Sequence, residues 1–390
     1  SATLLARGEN TEINVNVTNG EAIIKAGGET APAVGSSEQA RVSAINALDG
    51  GAVNVTADTV TLDASAAGFS DDPAQAGRHT VVTGVRSDGG SGSGYKGGVE
   101  TNSEINLKGN EVNVNATITG DTDMQDHSQI TYAAVAAAEQ GQVNIEAGTD
   151  GVNISVVNEA EGDHLGTNGV YGISSGYGLG HNDMPTAENF HDTYSMKGYM
   201  TGLTEDYIYQ KNQGKQTLVD LDSGGDVNVN VDLGTHDYHG QPAGIRTATG
   251  DVNIKSGGNV TVASNLDGEH RGDTLNQFSA VSAGDGRVDI RADGDVTLKT
   301  DSNGLDNSVL HLDTSMREGG IYTGSNYGSQ SRVYLSGQNV NLEGRAGYDG
   351  SALNNSIDGI SLHHEGYKGY KHVNMTIDAE EDFTIDVSAK

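Results

Sequence analysis

Apolar residues recur along the chain at every second position in short runs, with Asn, Thr, Asp or Ser between them. One set of runs carries Val53/Val55, Ile105/Leu107, Val143/Ile145, Val252/Ile254, Val288/Ile290 and Val333/Leu335. A second follows each of these closely: Val60/Leu62, Val112/Val114, Val152/Ile154, Val260/Val262, Val296/Leu298 and Val340/Leu342. Such alternation turns one face of a strand to a core and the other to water. A third run precedes each pair and places a small residue before a β-branched one. Its members are Ala44-Ile45, Gly84-Val85, Ala134-Val135, Gly172-Ile173, Gly244-Ile245, Ala280-Val281, Gly320-Ile321 and Gly359-Ile360, with Leu4-Leu5 opening the series. Called a, b and c in chain order, the three strands recur about nine times, which is the signature of a repeat architecture.

Three such strands per rung predict a prism filled by stacked aliphatic side chains. The expected fold is all-β: a right-handed parallel β-helix of about nine rungs, one domain over residues 1–390. The b-to-c linkers are short and polar, as in Ala57-Asp58-Thr59, Lys108-Gly109-Asn110 and Ser256-Gly257-Gly258. These residue types favour turns. The a-to-b and c-to-a linkers vary in length, so two corners are free to carry loops. A stack of antiparallel hairpins, as in a sandwich or propeller, is the alternative, but it calls for two-residue turns and a fourth regular strand. Asn54, Asn113, Asn144, Asn153, Asn228, Asn253, Asn341 and Asn374 each follow the first apolar residue of a b or c strand. Stacked amides at those positions predict a hydrogen-bonded ladder.

Composition narrows the possible partners. The 390 residues carry 22 Lys+Arg against 54 Asp+Glu, a formal charge of -32, with 56 Gly, no Cys and no Trp. A chain this negative is repelled by phosphate backbones and by anionic membranes. Nucleic acid is therefore excluded as a partner. No stretch approaches the apolar length of a membrane-spanning helix. The first residues, SATLLARGEN, lack the charged-then-apolar layout of a signal peptide, which predicts a processed or excised segment.

Two features stand out from the repeat. The first is an insertion over residues 174–216, where the alternation stops and Tyr177, Tyr194, Tyr199, Tyr207 and Tyr209 gather with His and Met. Long loops within repeat arrays serve binding or fold back as caps, and Tyr offers a large contact area at low entropic cost. The second is the acidic, histidine-bearing composition of the c-to-a loops. These hold Asp71, Asp72 and His79, then Asp121, Asp123, Asp126 and His127, then Glu159, Glu161, Asp163 and His164. Further along come His236, Asp237 and His239, then Asp267, Glu269 and His270. In register they would form an acidic ridge along one edge, suited to a binding partner or serving only to keep the surface soluble. Asp121, Asp123 and Asp126 have the oxygen chemistry of a Ca²⁺ site, though without the glycine and distal glutamate of an EF-hand. For zinc, His236-x-x-His239 and His363-His364 lack further ligands at tetrahedral spacing. No other cofactor is indicated.

Acidic residues are too numerous here for a pair of catalytic carboxylates to be picked out, and no GxSxG nucleophile motif occurs. A polysaccharide lyase or glycoside hydrolase is thus the lesser alternative, and the expected role is binding. Rungs such as GDVNIKSGGNVTVAS and GRVDIRADGDVTLKT resemble the passenger domains of Gram-negative autotransporters over nearly the whole chain. The resemblance implies display at the bacterial cell surface beyond the outer membrane, or secretion, with adhesion as the task in virulence. It implies two kinds of partner. One is a host glycan or extracellular-matrix protein, met through the ridge and the Tyr-rich insertion; the other is a second copy, giving bacterial aggregation and biofilm. It carries over no particular residue.

Overall fold

A computed structural model describes residues 2–7, 11–28, 40–48, 51–67, 79–88, 103–119, 129–137, 141–159, 164–167, 170–176, 217–234, 237–239, 242–247, 250–265, 279–284, 286–302, 307–313, 332–347, 357–363 and 374–389. These form 27 strands and no helix. Every pairing among them is parallel, and each a, b or c strand pairs with its counterpart one repeat later. The a strands, from Ala2–Arg7 to Ile357–His363, make one sheet. The b and c strands make the other, joined where Glu104–Thr119 and Gln142–Asn158 run through the corner as single strands.

Register follows the alternation. Val55, Leu107, Ile145, Leu221, Ile254, Ile290 and Leu335 stack in one column, and Leu62, Val114, Ile154, Val229, Val262, Leu298 and Leu342 in another. All are buried in one continuous core. Each such side chain contributes roughly 1.5–3 kcal/mol on burial. A slip of one residue would turn a whole column to water, which is why the register is held so firmly.

The a strands depart from simple alternation. Their ladders skip the small residue, pairing Ser43 with Thr83 and then Ile45 with Val85, or Tyr171 with Ala243 and then Ile173 with Ile245. The small residue and its follower both enter the core, so the strand bends there. A Cβ on Gly172 would lie 2.5 Å from the Val229 side chain and 2.5 Å from the Gly244 carbonyl oxygen. The requirement for a small residue is therefore steric. In the eighth repeat this pattern misleads: the a strand is Asn307–Asp313, with Leu310 pairing Val281 and Ile360, and not the segment at Gly320-Ile321. The bend there holds Ser308-Val309-Leu310, without the Gly or Ala that marks the other repeats. Gly320 and Ile321 lie outside the described residues. The strand before the insertion also takes in Ser174 and Ser175, both fully buried, and the next described strand begins at Thr217.

Polar ladders run along the outside. Asn54 donates to Asn14 at 2.8 Å, Asn106 to Asn54 at 2.7 Å and Asn144 to Asn106 at 2.8 Å. On the c strands Asn153 donates to Asn113 and Asn228 to Asn153, both at 3.1 Å. The predicted amide ladder is thus present at Asn54, Asn113, Asn144, Asn153 and Asn228, with Asn14 and Asn106 as additional members, whereas Asn253, Asn341 and Asn374 face Asp, Thr or Arg neighbours instead. A second ladder occupies the b-to-c corner, where Asp226, Asn259, Asp295, Asn339 and Asp382 follow one another. In each step the backbone N–H of the later residue donates to the Oδ1 of the earlier, at 2.7, 2.9, 3.1 and 3.1 Å. The Asn339 amide also donates to Asp295 at 2.8 Å. Alternation of Asp with Asn keeps like charges two repeats apart, and it gives part of the acidic composition a structural task.

Candidate binding surface

Most residues of the expected binding surface lie outside the described set: Asp121, Asp123, Asp126, His127, Glu161, Asp163, Tyr177, Tyr194, Tyr199, Tyr207, His236, Asp267, Glu269 and His270. The Ca²⁺ candidate falls wholly among them. What is described of the c-to-a segments is backbone order. The short strand His164–Thr167 pairs in parallel with Asp237–His239, setting His164 opposite Asp237 and Thr167 opposite His239. Thr167 also pairs with Gln129 at the start of an a strand. Two successive c-to-a segments therefore run side by side in parallel, with a register shift between the two pairs. Glu159 is exposed, and its N–H closes the end of the preceding strand on the Ile118 carbonyl at 2.8 Å.

A different surface emerges on the outward side of the b strands. Its middle repeats are acidic: Glu146, Asp220 and Asp222 project from neighbouring strands, Lys108 pairs with Glu146, and Lys255 stands 3.9 Å from Asp222. Its later repeats carry arginine. Asp289 takes two hydrogen bonds from Arg291, at 2.7 and 2.9 Å, and one from Arg332 at 2.7 Å. Both guanidiniums also lie over the Tyr334 ring, 4.8 Å (Arg291) and 5.3 Å (Arg332) from its centroid. No protein-family model, curated protein or solved structure matches the chain at a significant level. The surface has to be read from its own chemistry.

Sequence reasoning passed over these arginines because they are split between two strands far apart in the chain, Arg287 and Arg291 in one and Arg332 in the other. Their common signal was parity: all occupy outward positions of b strands. Only register brings them side by side. Among the described residues no group of three His, Cys, Asp or Glu is placed to hold a metal ion, and no helix is long and apolar enough to cross a membrane.

The two ends of the b face respond oppositely to pH. The Asp220 carboxyl is raised above its ordinary range, first by partial loss of hydration and then by the charges of Asp222 and Glu146. Its ionised form therefore weakens the fold; the penalty is present above the folded pKa and gone below the unfolded value of about 3.9. Asp289 is lowered, chiefly by the Arg291 hydrogen bond, with the charges of Arg291 and Arg332 adding to it. Its contribution is present above the unfolded value and lost as pH falls through the folded one. Asp220→Asn is expected to raise the urea midpoint at neutral pH and to leave it unchanged once both forms are uncharged, below about pH 3. Identical neutral-pH midpoints for the two proteins would remove the strain assigned to Asp220.

Proposed function

We propose that the chain forms a right-handed parallel β-helix, the passenger-like body of an extracellular bacterial surface protein. Its role in this reading is adhesion to a host glycan or matrix protein, not catalysis. The observation that carries it is the set of parallel a, b and c ladders, each strand pairing with its counterpart one repeat on. A strand returning to a parallel neighbour in the same sheet crosses over right-handed in about 98% of cases, which supports the hand. Such a stack is a long rigid support whose side chains change from rung to rung at constant spacing. In this reading the c-to-a loops and the Tyr-rich insertion supply the binding groups, and the parallel pairing of His164–Thr167 with Asp237–His239 supports a common edge for those loops.

The test is a binding screen of the purified chain against glycans and matrix proteins, with and without Ca²⁺, repeated on a variant with Asp121, Asp123 and Asp126 replaced by Ala. The variant is expected to weaken binding at least about tenfold, the scale of lost charge-pair contacts. A correctly folded variant that binds as well as the parent removes the ridge from the reading. Sedimentation at rising concentration tests the competing role in aggregation, which a strictly monomeric chain would exclude.

A further inference from the structure

The arginine cluster on the b face is independent of the loops just discussed. Arg287, Asp289 and Arg291 project from the strand Arg287–Ala292, and Arg332 and Tyr334 from Arg332–Gly337. Register sets Arg287 directly beside Arg332, and Asp289 beside Tyr334. We propose that this cluster is a binding site for the anionic groups of a polysaccharide, either uronate carboxylates or sulfates.

Charge is the first reason. Like charges side by side on adjacent strands, about 4.8 Å apart, destabilise a sheet. One carboxylate, Asp289, serves both Arg291 and Arg332. Arg287 is exposed, and among the described residues its guanidinium has no acceptor; the hydrogen bond to Asp251 at 2.9 Å comes from its backbone N–H. Two further carboxylates flank the cluster, Asp251 beside Arg287 and Asp378, 3.5 Å from the Tyr334 hydroxyl. Two of the three guanidiniums thus share Asp289, and the Arg287 fork is left open. A bound anion would fill that open fork.

Geometry is the second. Arg291 is held bidentately by Asp289, and the Arg291 and Arg332 guanidiniums both lie over the Tyr334 ring, so two of the three forks are fixed before a ligand arrives. The Arg332 Nε is buried, while the side chain as a whole is 41% exposed, so a ligand would meet its outer nitrogens. Planar guanidiniums match the oxygen pairs of carboxylate and sulfate, which ammonium groups do not.

The form of the face favours a glycan over a peptide. Both strands are paired on each side, so no free edge is available for strand addition. Neighbouring outward positions carry Asn253, Ser336 and Thr376, neutral groups that hydrogen-bond sugar hydroxyls. A linear chain can lie flat across them.

The experiment titrates the whole chain at low salt with a heparin-derived oligosaccharide, an oligogalacturonate, a neutral cello-oligosaccharide and oligoglutamate. Saturable binding is expected with at least one of the two anionic sugars and not with the neutral one. The pair of charged probes shows whether sulfate or carboxylate is preferred. Arg287→Ala combined with Arg332→Ala is expected to weaken that binding at least about tenfold. Arg287→Ala alone leaves the Asp289 network intact and is expected to lower affinity in the same direction. Lys25→Ala combined with Lys108→Ala removes the same charge elsewhere and is expected to change little. No binding of either anionic sugar, an equal loss in the lysine variant, or equally tight binding of oligoglutamate would overturn the proposal. Failure of the acidic ridge would leave these titrations unaffected.

Discussion

Leu107→Ala is expected to lower the unfolding free energy by about 2–5 kcal/mol, the range for truncating a fully buried leucine. Leu107 is 1% exposed and lies between Val55 of the preceding repeat and Ile145 of the next. Neither neighbour can close the gap without breaking its own ladder, so the cavity persists. Ile385 occupies an equivalent inward position in the last repeat, opposite Leu342, yet is 47% exposed. Ile385→Ala removes less buried surface and is expected to cost less than about half as much. Urea denaturation followed by circular dichroism compares the two. Equal costs would mean that stacking between repeats is not what buries these inward columns.

Gly250→Ala is expected to be the most damaging single-methyl insertion. A Cβ there would lie 1.8 Å from the Thr217 carbonyl oxygen and 2.6 Å from its carbonyl carbon. These are backbone atoms of the paired strand, and no rotamer change relieves the clash. The site also anchors the a-to-b corner, where the Thr247 hydroxyl donates to the Gly250 carbonyl at 2.8 Å. Ser87 on Gly51 and Ser175 on Gly141 make the same kind of contact in other repeats, at 2.6 and 2.8 Å. Overpacking of this kind costs about 1–3 kcal/mol and occasionally more. Gly27→Ala is the control, since its added Cβ would come no closer than 3.4 Å, to the Ser65 carbonyl oxygen. A thermal melt that ranks Gly27→Ala as the worse of the two would contradict the corner geometry.

The b and c strands were legible because their interior demands one aliphatic at every second position, and few other arrangements tolerate Val-Asn-Val or Val-Thr-Leu. Inward columns through Val55 and Leu62 could be written down from the chain. The a strands were harder, since their bend brings two adjacent residues inward and buries most of both faces. That bend is why Val309 was missed and Gly320 chosen. The corner ladder was hidden for another reason: Asp226, Asn259 and Asp295 look like ordinary turn residues until each is seen accepting a hydrogen bond from the next repeat.

Candidate sites divide along the same line. The acidic loops and the tyrosines of 174–216 are visible as composition, because they are clustered in sequence. Arg287 and Arg332 are 45 positions apart by subtraction of their numbers, yet they are direct neighbours in the ladder. No local pattern contains that fact.

Period-two alternation, small residues at the bend and polar short corners are local requirements, and each leaves its mark in a few consecutive residues. From them follow an all-β chain, a repeat of three strands and the inward columns. Which outward side chains meet is a property of register between repeats, set by parallel backbone pairing across dozens of residues. Tertiary structure alone therefore decided the Asp/Asn corner ladder, the opposed acidic and arginine ends of the b face, and the pairing of Asp289 with two guanidiniums.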